Sequence, residues 1–374
     1  MNGELIMRLR GLLRKESLQI LRDPSSIAIA FVMPVVLLLL FGYGVSLDAK
    51  RVPLALVVEQ PNRDTANFIA GFFQSPYFVP VRFATIQEAD AAMNTRRVEG
   101  IVWLRSNFSR QMLSGGNAPI GLIVNGVDAN NARIIEGYIQ QVWANWIAQF
   151  YASQGLRLKT PVQADVRIWF NPAVASTDFI VPGLIAVIMT LTGALLTAMV
   201  VAREWERGTM EALLVTPASI HEIILSKLVP YFVLGMGGMI LSVMMALWLF
   251  AVPLRGSIWV LMASSGAFLL CALGMGLVIS TVSKNQFVAG QIAIIVTYLP
   301  AFMLSGFIFD LHSMPVVIQW ITHIVAARYF VTILQSVFLA GNVWSVTVPN
   351  IIALLVMAAI FLGMARLMAR KSLE

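Results

Sequence analysis

Charge is scarce in this chain. Only 12% of its 374 residues are Asp, Glu, Lys or Arg, while 58% are hydrophobic and the mean hydropathy is +0.80. A soluble domain carries about 25% charged residues. One or two soluble cores cannot hide this much apolar surface, so a soluble enzyme and a disordered hub are excluded. The single cysteine, Cys271, permits no intrachain disulfide and excludes a secreted disulfide scaffold. None of the six lysines follows a glycine, so the Gly-Lys-[Ser/Thr] core of a P-loop is missing. The three histidines, His221, His312 and His323, have no cysteine near them, and no Gly-x-Ser-x-Gly elbow occurs. The expectation is a chain with no catalytic residues, no metal and no cofactor of its own.

What the chain does have is long runs free of charge. Residues 24–47, 179–202, 228–254, 256–283 and 285–309 contain no Asp, Glu, Lys or Arg, and a sixth run lies within 344–365. About 20 helical residues cross a bilayer core, so six spans are expected. Residues 329–341 form a further run of only 13, too short to cross, which predicts a re-entrant or interfacial segment over 311–341. The first run follows basic residues but is too long for a signal peptide and lacks a small-residue cleavage site, so it reads as an uncleaved anchor.

Basic residues orient the spans. With the N-terminus inside, the short inner segments hold 12 of them: Arg8, Arg10, Arg14, Lys15, Arg22, Arg203, Arg207, Lys227, Lys284, Arg366, Arg370 and Lys371. The short outer loops hold two, Arg255 and Arg328. This is the bias that retains loops in the cytoplasm, and it accounts for the net charge of +7 without nucleic acid as a partner. Both termini are then cytoplasmic. The five longest runs also lack the ionisable residues that relay protons or ions in coupled transporters. Their polar residues, Thr190, Ser242, Ser264, Gln291 and Thr297, read as glue between helices. The chain looks passive, a conduit or a receptor driven by something else.

The segment 48–178 between the first two spans is long enough for one outer domain. Strand-like runs at 53–58, 78–83, 100–104, 120–125 and 162–169 alternate with helical patterns at 65–73, 87–96 and 130–153, which predicts an α/β domain. The aromatics Trp143, Trp146, Phe150 and Tyr151 read as core, with a ligand platform as the alternative.

Two stretches face the cytoplasm in this scheme. Residues 1–23 hold an amphipathic helix over 4–21, apolar on one face and basic on the other, of the kind that lies on a membrane surface. Glu16 projects on its apolar side and so requires a partner. The loop 203–227 reads Arg203-Glu204-Trp205-Glu206-Arg207-Gly208-Thr209-Met210-Glu211-Ala212-Leu213-Leu214-Val215-Thr216-Pro217 before Lys227. Gly208 interrupts the helix of span two. Thr209 is expected to cap a short helix with Glu211 in its first turn, and Thr216-Pro217 to cap the next. The loop is expected to pack no core and to present a charged docking surface.

These residues carry a resemblance. The chain resembles the ABC-2 type permeases of bacterial ATP-binding-cassette exporters, in the subgroup with a large domain after span one. Three patterns support it: Lys15-Glu16 with Arg22-Asp23-Pro24 and Pro34; Glu206-Arg207-Gly208-Thr209-x-Glu211-x-Leu213 with Pro217 and Lys227; and Leu304-Ser305-Gly306-Phe307 with Met314-Pro315 and Arg328-Tyr329-Phe330. The family often has proline two residues before the Arg-Tyr pair, where Ala326 stands here.

The resemblance implies six transmembrane helices with an α/β extracytoplasmic domain between helices one and two, in the bacterial cytoplasmic (inner) membrane. It implies a coupling helix after span two that meets a separate ATP-binding subunit, with the N-terminal helix beside it. The coupling residues carried over are Glu206, Arg207, Gly208, Thr209, Glu211, Leu213, Pro217 and Lys227, and Glu16 belongs to the interfacial helix. Partners would be the ATPase, which holds the ATP, a second permease, identical or paralogous, and the lipid bilayer. The cargo would be drugs or other lipophilic compounds, cations among them. A membrane receptor sensing a ligand through the outer domain is the alternative, and a secondary transporter is the next.

Overall fold

A computed structural model of the chain describes residues 2–44, 51–113, 120–125, 129–153, 176–216 and 218–368. It divides into two compact units, one of Met1–Ser46 with Ile168–Glu374 and one of Leu47–Arg167. Among the described residues of the first unit, six helices are long and apolar enough to cross a membrane: Pro24–Gly44, Ser176–Glu206, Ile220–Leu249, Ile258–Ser283, Gln286–Leu304 and Trp344–Met368. They are spans one to six below.

Span two is the centre of this unit. Its most apolar window is 94% buried, against 17–33% for spans one, three, five and six. The outer faces of the other spans keep Val36, Val233, Ile295 and Val356 exposed. Polar faces would cover these positions in water, and lipid takes that place in a bilayer. Small residues let spans two and four approach. The Thr197 hydroxyl donates to the Leu273 carbonyl at 2.8 Å, and a Cβ added at Gly276 would overlap Thr197 and the Ala194 carbonyl. Gly276→Ala should therefore force the two helices apart and cost about 1–3 kcal/mol, as overpacking does. A melting curve of the purified protein in detergent checks this, and an unchanged midpoint would remove the close contact from the packing.

The polar residues read as glue between helices do something else. Thr190, Ser242, Ser264 and Thr297 donate to carbonyls of their own helices, mostly four residues back, and Gln291 is exposed. A hydroxyl in an apolar surrounding takes the nearest acceptor, and in a helix the preceding turn always offers one. Thr197, by contrast, bridges two spans.

After span five, the helices Val316–Thr322 and Ala326–Ala340 meet at a bend of 84°, a broken span or a re-entrant loop. The Tyr329 hydroxyl donates to the His323 carbonyl across the break at 2.9 Å. The N–H groups of Arg255 and Gly256 donate to the Phe338 and Val337 carbonyls and tie down the far end. Ala326 is the first residue of the second helix. A helix start needs no N–H at that position and suits proline, so alanine fills the same place and the bend persists.

The second unit contains a four-stranded mixed sheet in the order β2-β1-β3-β4. The strands are β1 (Val52–Val58), β2 (Phe78–Phe83), β3 (Gly100–Leu104) and β4 (Ile120–Val124). β1 pairs in parallel with β2 and β3, and β3 pairs antiparallel with β4. Helices Arg63–Gln74 and Ile86–Asn94 make the crossovers. Asn62 starts the first with a capping box shared with Thr65. On one face of the sheet, Phe68, Phe72 and Phe108 pack with Trp143 and Trp146 of helix Ala129–Ser153. Trp146 is buried core, and Trp143 is partly buried against it. The strand expected at 162–169 lies outside the described residues.

Candidate functional site

The site is a junction of helix ends in the first unit. Span two does not stop where its apolar run stops at residue 202. It continues for one turn to Glu206, and span three begins at Ile220, well before its apolar run at 228. These extensions bring Arg203, Glu204 and Lys227 into helices that pack together. The N-terminal helix, Asn2–Leu21, lies chiefly along the start of span three and buries Glu16 and Ile20.

Four charges meet there. Lys227 donates to Glu16 at 3.0 Å and makes a close ion pair with Glu204. Lys15 bridges Glu16 and Glu204, each at 3.0 Å. The side chains of Lys227, Glu16 and Glu204 are 2%, 1% and 5% exposed, while Lys15 is 42% exposed. The cluster is therefore neutral, closed on three sides and open to solvent at Lys15. Burial works against the Lys15 charge, but the carboxylates of Glu204 and Glu16 outweigh it and raise its pKa above 10.5. The partner that Glu16 requires is thus Lys227, which is not a surface residue of the loop. A buried cation between two buried carboxylates holds three elements in one register.

Two further pairs brace the cluster. Arg203 contacts Asp23 at 3.0 Å and donates to the Ser25 hydroxyl at 2.9 Å and to Gln286 at 3.1 Å, joining span two to spans one and five. Asp23 caps the start of span one by accepting from the Ser25 N–H. Burial pushes its pKa up, but hydrogen bonds from Ser25 and Ser26 and the nearby Arg203 cation prevail and hold it below 3.8. On the other flank, Arg8 reaches Glu222 at 3.4 Å. Glu222 also forms the capping box of span three with Ser219.

The loop between spans two and three holds one short helix, Thr209–Val215. Gly208 precedes it with φ +70°, a left-handed conformation that L side chains adopt only under strain. That is how the chain reverses directly after Glu206. Two expected caps shift. Thr209 is the first helical residue, and its hydroxyl donates to the Glu204 carbonyl at 3.2 Å. Span three is capped by Ser219 and not by Thr216-Pro217; Pro217 itself lies outside the described residues. The loop also packs a small core. Met210 is buried with Ala218 and Ile223, against Leu213, Leu12 and Trp205.

The expected coupling residues therefore divide. Arg207, Gly208 and Thr209 are exposed. Glu206 is exposed too, but one of its oxygens accepts from the Gln286 N–H at 3.1 Å, at the start of span five. Leu213 packs inward and Lys227 is enclosed. The backbone of Glu211 occupies the third position of the loop helix. The sequence names Arg203, Glu204 and Asp23 without assigning them a partner, and Glu222 is not singled out at all. The sequence signal for Glu204 is a carboxylate two residues past an apolar run, with a lysine one residue before the next run.

Six helices long and apolar enough to cross a membrane, joined at one end by a charged junction, define a polytopic membrane protein. The family described as ABC-2 family transporter protein matches residues 24–367, and the chain belongs to this family of ABC transporter permeases. It is 43% identical over 368 residues to the probable multidrug ABC transporter permease YbhS of Escherichia coli, covering 98% of each chain. It is 29% identical over 353 residues to the probable multidrug ABC transporter permease YbhR of the same organism, covering 94% of this chain and 95% of that one. The inner membrane transport permease YhhJ of Escherichia coli is 28% identical over 325 residues, 86% of each chain.

Proposed function

We propose that this chain is the membrane subunit of an exporter in the bacterial inner membrane, driven by ATP hydrolysis on a separate subunit. Its cargo is drugs or other lipophilic compounds, cations among them. The observation that supports this reading is the buried Lys227–Glu16–Glu204 cluster. It ties the N-terminal helix and spans two and three together directly beside the loop helix Thr209–Val215. A force applied to that helix from below reaches three elements at once. The names of the relatives, two multidrug permeases, support the class of cargo.

The exposed residues of the loop, Glu206, Arg207, Gly208 and Thr209, form the docking surface together with Glu211. Both termini and this loop face the cytoplasm, and the Leu47–Arg167 unit lies outside. Two such permeases, identical or paralogous, build the pathway, and this chain needs no cofactor of its own. The test is purification with the cognate ATPase, followed by measurement of which lipophilic compounds stimulate hydrolysis. Stimulated turnover by the complex and none by this chain alone is the expected result. Failure of any ATPase to associate would favour the receptor reading. Cysteines placed at exposed Gln87 and Ser17 test the orientation in intact cells, because the native Cys271 is buried. Only the first should react with an impermeant reagent.

A further inference from the structure

The junction also carries cationic charge that its ion pairs leave unmatched. Beside the ion-pair cluster lies a cleft of about 480 Å³ whose charged lining is Lys15, Arg22, Asp23, Arg203, Glu204 and Arg207. Four cations face two carboxylates. The carboxylates are already used: Asp23 holds Arg203 at 3.0 Å and Glu204 holds Lys15 at 3.0 Å. Arg22 and Arg207 remain, both exposed and without an ion-pair partner among the described residues. The cleft thus carries an uncompensated charge of two guanidinium groups across a concave surface.

Its position selects the occupant. Arg22 stands two residues before Pro24, the first residue of span one, and Arg203 is in the last turn of span two. The cleft therefore opens at the ends of two spans, the level at which lipid headgroups lie. Leu18 and Leu21, on the last two turns of the N-terminal helix that Arg22 directly follows, are 44% and 72% exposed. Exposed leucines beside a basic cleft suit a ligand with an acyl chain and an anionic head, whereas a soluble anion or an acidic protein side chain uses only the arginines. Arginine pairs bind phosphate oxygens with geometric fit, and basic pockets between helix ends hold anionic headgroups. We propose that this cleft binds the phosphate of an anionic phospholipid, with Arg22 and Arg207 as its principal ligands. Arg207 also belongs to the docking surface proposed above, so lipid binding is measured on this chain without the ATPase, and ATPase capture is measured separately.

The test uses the full-length chain, purified in detergent and stripped of lipid, with the melting midpoint as readout. Dioleoyl phosphatidylglycerol should raise the midpoint saturably, and dioleoyl phosphatidylcholine should not. Inorganic phosphate at millimolar concentration should not reproduce the effect. Arg22→Gln should weaken the phosphatidylglycerol response about fivefold, and adding Arg207→Gln about fivefold again. Both side chains are exposed, so the lipid-free midpoint should match the parent. Arg14→Gln, on the N-terminal helix but outside the cleft, should leave the response intact. Equal stabilisation by the two lipids would overturn the proposal, as would an equal loss in Arg14→Gln, which indicates diffuse surface charge. A full response to inorganic phosphate would assign the cleft to a free anion instead. An unchanged lipid response in the double variant, with ATPase capture lost, would assign it to an acidic side chain of the partner.

Discussion

Lys227→Met should destabilise the helical unit by about 3–5 kcal/mol, the cost of breaking a buried ion pair from one side. Methionine keeps the length and helix propensity of lysine, so the loss is of charge and not of packing. What remains is one half-exposed lysine, Lys15, facing the two buried carboxylates of Glu16 and Glu204. Lys15 cannot compensate both, since its contribution is screened by solvent. Removing one carboxylate restores the balance. Lys227→Met with Glu204→Gln leaves a neutral Lys15–Glu16 pair and should recover much of the loss. The pair of substitutions is then strongly non-additive, which a double-mutant cycle on detergent melting or chaotrope unfolding measures. If the double variant is as unstable as the sum of the two single variants, Lys227 and Glu204 act independently and the cluster is not one unit. Gly276→Ala, which acts between spans two and four, should by contrast add to either.

The same cluster shows where the sequence was readable and where it was not. A window chosen for its lack of charge ends at the first charged residue. That rule finds the apolar centre of every span. It misplaces the ends of spans two and three, because the last turn of span two carries Arg203 and Glu204, and the first two turns of span three carry Glu222 and Lys227 inside the fold. Charge on a helix marks exposure only when nothing pairs with it, and pairing between residues 16, 204 and 227 is a tertiary fact. Glu16 was the exception, since its place on an apolar helix face already demanded a partner. Alternation served the second unit well. The four strands Val52–Val58, Phe78–Phe83, Gly100–Leu104 and Ile120–Val124 lie within a residue of where the apolar runs put them. Turn chemistry was less legible in the loop. Thr209 and Thr216-Pro217 both satisfy cap preferences, but Gly208 and Ser219 occupy the cap positions. Gly208 alone tolerates the left-handed backbone that the reversal requires, and Ser219 has Glu222 three residues on to complete a capping box.

Glu211→Lys should abolish transport and release the ATPase, if the loop helix Thr209–Val215 is the docking element proposed here. The argument combines position with charge. Glu211 is third in a helix that begins at a glycine reversal beside the exposed Arg207, so the loop offers charges of both signs over a short distance. Losing one member of a desolvated interfacial pair costs about 2–5 kcal/mol, and about 2.8 kcal/mol already weakens binding 100-fold. Reversing the charge adds repulsion to that loss. The competing role is local, because a carboxylate in a first turn stabilises its own helix by only about 0.3–1 kcal/mol. Glu211→Gln separates the two, since it keeps size and propensity without charge. Docking requires both variants to lose captured ATPase, with the reversal more severe. The apolar packing of Met210 and Leu213 makes the fold of the loop a necessary control, so the melting midpoint is measured alongside capture. A lowered midpoint with capture intact would leave Glu211 a helix-stabilising residue, and near-normal transport in both variants would remove it from the coupling surface.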